Sequence, residues 1–357
     1  MIKLNIIAMK KMNLILASLL IGGMLQAQQI EDFDLTKGAG AYGHKKLKDA
    51  PKRVFIAEFF INYQLMYSAA EVARGGSQMG GGFRGDAKAS LTLGIPGIST
   101  EKLQESVDNL YKEYTDKLKT AGFEIIEAEE VAATEYMSEW NRSKGGTINE
   151  AQNPGYLNVT PTGYEFFYKK ITKDGRGKGT FLDYTPKLSK ALGGAIIAKV
   201  NLVIPVFEDG ESQASKALAK TAGGVAKVVA RANYRISPSE WVATKTLKGG
   251  FSITSYSNFG HTESMKKQGF ANYTIKKPVK IEGVFDPKKK YKAVESAASQ
   301  MSGTNMGAFT IFNVDDRELN RVQAVECDPE KFLNGAYEAS QKFIMKSMNS
   351  FLDFATK

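Results

Sequence analysis

Cysteine is all but missing from this 357-residue chain: Cys327 is the only one, so no internal disulfide can form and stability must come from packing. Histidine is almost as scarce. His44 and His261 each lie in a glycine-containing segment without a partner at metal-binding spacing, and neither an HExxH nor a paired CxxC occurs. Imidazole and thiolate metal sites need such ligands to converge, so both histidines are expected to be solvent-exposed or satisfied within the fold. Beyond Leu25 no apolar stretch reaches about 18 residues, which argues against a helical membrane span in the body of the chain.

Catalytic motifs are missing too. Ser77 fails as a GxSxG elbow because Met79 stands where the second glycine should be. The run Gly175, Gly177, Gly179 contains Lys178 but no GK[ST], so it is no phosphate loop. Two stretches spell GxGxxG, at Gly38, Gly40, Gly43 and at Gly80, Gly82, Gly85. A dinucleotide site needs a strand before those glycines and a helix after them, and neither stretch has that setting. Arg84-Gly85-Asp86 matches an integrin tripeptide in a glycine-rich composition where chance produces it readily. Cys327, beside Asp328, reads as a small buried hydrophobe rather than a nucleophile. Glu127, Glu129 and Glu130 could form a carboxylate pair, but neighbours on a strand point to opposite faces, and a solvated edge is the expected role. No catalytic residue, metal or cofactor is assigned.

What the sequence does contain begins with an export signal. Lys10 and Lys11 precede an uncharged apolar run from Leu14 to Leu25, and Gln26-Ala27 then closes it at a small residue. That run of about 12 residues is too short to cross a hydrocarbon core. Residues 1–27 are therefore expected to be a cleaved signal peptide, with Gln28 as the new N-terminus. Met9 before two lysines resembles a start site, which would leave residues 1–8 outside the leader. The formal charge is +10, and the leader carries three of the lysines and no acid, leaving +7. Lysine-rich runs at Lys45-Lys46, Lys276-Lys277 and Lys288 to Lys290 are spread along the chain and read as solvated faces, with no nucleic-acid partner expected.

After a polar segment over residues 28–51, strands and helices alternate through a main α/β region at 52–357, with any division falling near 240–285. Arg53 to Ile61 is a dense β-branched and aromatic run, a buried strand. A helix is expected at about Gln64 to Ala73, then a loop from Gly75 to Gly85 with six glycines in eleven residues. Ala89 to Ile95 follows as a strand. Ser99 or Thr100 caps the clearest helix, with Leu103, Val107, Leu110, Tyr111, Tyr114 and Leu118 in one stripe, Gly122 as its stop and a strand at Phe123 to Ile126.

From Trp140 to Pro161 the chain is polar and reads as a long loop or insertion. Further strands are expected at Tyr164 to Ile171, Ala195 to Phe207, Val225 to Ile236, Phe251 to Ser257, Tyr273 to Val284 and Ala308 to Val314. In Val225 to Ile236 the residues Lys227, Arg231, Asn233 and Arg235 would form a wet face. Thr185-Pro186 caps a short helix ending at Gly193-Gly194. Asp286-Pro287 and Asp328-Pro329 each open a helix, the last burying Phe332, Ala336, Phe343, Ile344 and Phe351.

Leu118 to Trp140 (LKTAGFEIIEAEEVAATEYMSEW) and Pro186 to Pro205 (PKLSKALGGAIIAKVNLVIP) resemble the helix–strand units of periplasmic proteins of the curli-secretion-channel and TolB N-terminal-domain type. RVFIAEF and VARANYRI fall in the matching order, and together these pieces cover roughly a quarter of the chain. The resemblance implies an oligomeric envelope channel, secretion accessory or scaffold rather than an enzyme. The lipidated cysteine of the channel family is missing, and the glycine-rich loop, the 141–161 segment and the C-terminal third have no counterpart in it. The expectation is thus an exported mixed α/β protein, periplasmic, outer-membrane-associated or extracellular. It would act by binding protein partners or by self-association, with Met79 and Phe83 as apolar contact residues in the glycine-rich loop. The alternatives are a secreted hydrolase using carboxylates and a membrane-active pore built from strands such as Phe251 to Ser257.

Overall fold

The computed structural model describes residues 30–37, 41–73, 76–77, 83–84, 87–146, 152–172, 177–179, 183–211, 226–243, 250–294 and 322–356. The expected leader, Met79 and the strand expected at Ala308 to Val314 lie outside them. The architecture is mixed α/β. Its centre is a seven-stranded sheet whose strands, in chain order, are β1 (Leu35–Lys37), β2 (Arg53–Gln64), β3 (Glu124–Ile125), β4 (Tyr156–Val159), β5 (Ile196–Ile204), β6 (Tyr256–Thr262) and β7 (Gln268–Ile275). They lie in the order β1-β7-β6-β5-β2-β3, with β4 paired to the far end of β2.

The central pair, β2 and β5, is parallel from Val54 opposite Ile196 to Tyr63 opposite Ile204. Both strands are nearly continuous apolar runs, as a sheet covered on two sides requires. The register slips by one residue between Ala198 and Lys199, so that Ile56 faces Ala198 while Glu58 faces Lys199, and Ala57 is the extra residue of a bulge.

Helices α1 (Thr100–Thr120) and α3 (Pro329–Ala355) cover one face of this sheet. Ser99 caps α1 by accepting from the Lys102 N–H at 3.1 Å, and Gly122 leaves it at φ +84°, where a side chain would be strained. Asp328 caps α3 by accepting from the N–H groups of Glu330 and Lys331 at 3.0 and 3.2 Å, with Pro329 in the first turn. The stripe Leu103, Val107, Leu110, Tyr114 and Leu118 and the set Phe332, Ala336, Phe343, Ile344 and Phe351 are all buried in one core with Ile196, Ala198, Val200, Leu202 and Ile204. That core takes residues from Leu47 to Ala355. The third helix used below, α2 (Thr185–Ala191), lies over the opposite face.

Several elements differ from their sequence pattern. Met66–Ala73 is a strand, not a helix, and pairs antiparallel with Ala87–Gly94 at eight positions. Its alanines favour a helix locally, but pairing with Ala87–Gly94 satisfies the backbone groups along one side of the strand and fixes it as β. Between Trp140 and Pro161, Asn141–Lys144 pairs with Glu165–Tyr168 and the buried strand β4 pairs with β2. The polar residues of that stretch are used inward: the Gln152 side chain accepts from the Asn158 N–H at 2.7 Å.

Asp286-Pro287 opens a turn, with Asp286 accepting from the Lys288 N–H at 2.9 Å, and the chain then enters strand Lys290–Val294. Pro205, which has no N–H, divides the expected Ala195 to Phe207 strand into β5 and Phe207–Asp209. Val225 to Ile236 breaks at Asn233-Tyr234, and Arg235 is buried rather than wet, its guanidinium donating to Glu240 and to the Asn233 carbonyl, each at 2.6 Å. Tyr164 to Ile171, Phe251 to Ser257 and Tyr273 to Val284 are likewise each split in two. At α2 the cap position is Tyr184, and Asp183 rather than Thr185 supplies the accepting side chain.

Candidate functional site

Side chains two apart on a strand share a face, so Ile197, Lys199, Asn201 and Val203 of β5 all point away from the helix-covered core. The two ends of this row are apolar. Ile197 packs with Phe55, Trp140, Leu188 and Leu192, while Val203 packs with Tyr156, Val242 and Ile253. Between them runs a polar strip across the sheet.

The strip centres on Lys199, only 7% exposed. Its ammonium donates to Asp183 Oδ1 at 2.9 Å, stands 3.7 Å from Glu58 Oε1 and lies 3.7 Å from the centre of the Tyr184 ring. Glu58 in turn accepts from the hydroxyls of Tyr184 at 3.0 Å and Tyr256 at 2.5 Å. Burial, reinforced by the Glu58 charge, holds both phenols well above their ordinary pKa, so at neutral pH they remain donors. Burial opposes ionisation of Asp183, but the Lys199 charge and the Thr185 hydrogen bonds outweigh it and lower its pKa. Its side chain is nonetheless 57% exposed, which screens these interactions.

Next to Lys199 on β6 is Asn258, which faces Asn272 on β7. The Asn258 Oδ1 is enclosed and accepts no hydrogen bond from any described residue. Asn62 donates to Asn201 Oδ1 at 2.9 Å, and Asn201 donates to the Thr254 carbonyl at 2.6 Å, extending the polar row toward β4.

Chemically, this arrangement holds charge rather than moving protons. The two carboxylates share one ammonium and two phenols, and the lowered pKa of Asp183 makes it a poor acid and a weak base near neutrality. None of these residues was a sequence-level candidate. Their signal was present nonetheless: a lysine in IIAKVNLVI and a glutamate in RVFIAEFFI, each with apolar residues on both sides.

The residues singled out from the sequence lie elsewhere. Phe83 belongs to the two-residue strand Phe83–Arg84, paired with Gly76–Ser77, and its side chain is outside the described set, as is all of Met79. His261 is buried with its Nδ1 2.6 Å from the Gly194 carbonyl, and His44 meets the edge of Phe354 with ring centres 4.6 Å apart. Gly43 precedes a short 3-10 helix, His44–Asp49, not an α-helix, while Gly38, Gly40, Gly80, Gly82, Gly85 and Gly175 are outside the described residues. Glu129 and Glu130 stand on the one-turn helix Ala128–Ala132, where Glu129 pairs with Arg142 and Glu130 with Arg53 at the surface. Burial and the Asp328 charge push the Cys327 thiol up to about 11. Among the described residues no group of three His, Cys, Asp or Glu side chains could hold a metal, and no helix is long and apolar enough to cross a membrane. No protein-family model, curated protein or solved structure matches the chain.

Proposed function

We propose that the chain is an exported cell-envelope protein that acts by binding and self-association rather than by catalysis. The observation that carries this reading is the edge strand Met66–Ala73. It pairs with Ala87–Gly94 on one side and, among the described residues, with no strand on the other. Edges in proteins that stay apart are blunted by lysine, proline or bulges. This strand has neither lysine nor proline and a single charge, Glu71, and it presents Ser68, Ala69, Ala70 and Val72 partly or fully exposed. Small side chains on an open edge suit the addition of a strand from another chain.

Two further features support the reading: the leader pattern of residues 1–27, and the resemblance of Leu118 to Trp140 and Pro186 to Pro205 to curli-secretion-channel and TolB N-terminal-domain-like envelope proteins. Light scattering and native mass spectrometry of residues 28–357 test it. The expected result is an oligomer that Ala70→Pro dissociates while the thermal midpoint of the monomer is kept. A strictly monomeric protein at high micromolar concentration defeats the self-association part.

A further inference from the structure

We propose that the part of the β6–β7 face that α2 leaves uncovered binds a neutral saccharide. Gln268, Phe270, Asn272 and Thr274 alternate along β7 as half-exposed side chains, while Gly269, Ala271, Tyr273 and Ile275 between them are buried on the helix side. Tyr256 and Asn258 of β6 are half-exposed beside them. All six side chains are uncharged, although Lys, Arg, Asp and Glu make up 24% of the chain and its formal charge is +10. A basic protein that recognised an anionic partner would place lysines here. An uncharged strip of this kind selects an uncharged occupant.

The groups on this face are those a sugar ring uses. Phe270 lies over Gly260, where a Cβ would come within 2.7 Å of its ring, so the absence of a side chain there seats the aromatic. Tyr42 packs against Phe270 with ring centres 4.9 Å apart and is itself 47% exposed, giving a broad aromatic platform for the C–H face of a pyranose. Asn258 and Asn272 lie opposite each other on this face, side chains of the polar, uncharged kind that sugar hydroxyls pair with, and the Asn258 Oδ1, enclosed beneath the surface, has no partner among the described residues.

Asp183 borders the same face: its charge raises the pKa of the Tyr42 phenol, secondary to burial. Its hydrogen bonds from Thr185 and Lys199 all fall on Oδ1, leaving Oδ2 with no described donor and available to a sugar hydroxyl.

The inference shares the exported location with the reading above but does not depend on self-association. The test is titration of residues 28–357 with maltotriose, cellotriose and triacetylchitotriose, followed by calorimetry and saturation-transfer NMR. Saturable binding of at least one is expected, weakened about tenfold or more by Tyr42→Ala and by Asn272→Ala, with the thermal midpoint kept. Met265→Ala, at an exposed site off this face, should leave it unchanged. Absence of saturable binding by any of the three at about 10 mM overturns the proposal. So does an oligomer that Asn272→Arg dissociates while no saccharide binds, since the face would then be a contact between copies. A monomer that binds one of the sugars sinks self-association alone and upholds the site.

Discussion

The rings of Phe259 and Phe351 lie face to face, with centres 3.9 Å apart and planes 4° apart, and this contact joins β6 to α3. Both side chains are fully buried, so the pair closes the core between the sheet and the C-terminal helix. Phe351→Ala removes one ring and leaves a cavity, and unfolding in urea should show a loss of about 3–5 kcal/mol. A loss under about 1 kcal/mol would mean that α3 is not docked on the sheet as described.

Among the described residues, Lys199 is the cation that stands between Glu58 and Asp183. Lys199→Met keeps most of the side-chain volume but leaves Glu58 and Asp183 without their shared cation, and should cost about 1–2 kcal/mol, less than for a fully buried pair because Asp183 is 57% exposed. The double variant Lys199→Met with Glu58→Gln removes the charges together and should recover a large part of that loss. Equal destabilisation by the single and double variants would show that packing, not charge, is what Lys199 contributes.

Asp183 has a pKa lowered by folding, so the native state favours its ionised form. Its contribution to stability is then complete above the ordinary carboxylate value, near pH 4, and fades as pH falls through the lower folded value. Asp183→Asn lacks this dependence. The gap in unfolding free energy between the parent protein and this variant should therefore narrow as pH is taken from 6 toward 3, and a gap that widens would contradict the ion pair.

Cys327 is half-buried with its pKa raised to about 11 by burial and by Asp328. Near pH 8 its thiol is protonated in the folded protein. Reaction with a disulfide reagent should be slow under native conditions and accelerate by about a hundredfold or more in denaturant, because the thiolate is the reacting form. Fast labelling of the native protein would place Cys327 in a more polar setting.

The long helices were legible because each carries its own evidence. The stripe from Leu103 to Leu118 and the caps at Ser99 and Asp328 are local signals, and the buried runs of β2 and β5 are nearly so. What failed was whatever depends on a distant partner. Met66–Ala73 is rich in alanine and becomes a strand only because Ala87–Gly94 pairs with it. The 141–161 stretch looks like a loop until Gln152 and Asn158 are seen to satisfy each other. The polar strip was missed for the same reason. Lys199 and Glu58 are 141 positions apart, and only the slip at Ala57 places them opposite each other.

The central pairing of β2 with β5 also sets a timetable. Val54 meets Ile196, so the middle of the sheet cannot assemble until just over half the chain is available. Such high contact order makes the nucleus slow to form, since a long loop must close before its contacts stabilise it. In a chain made from its N-terminus, β2 therefore waits for about 140 further residues before its parallel partner β5 exists and the middle of the sheet can close.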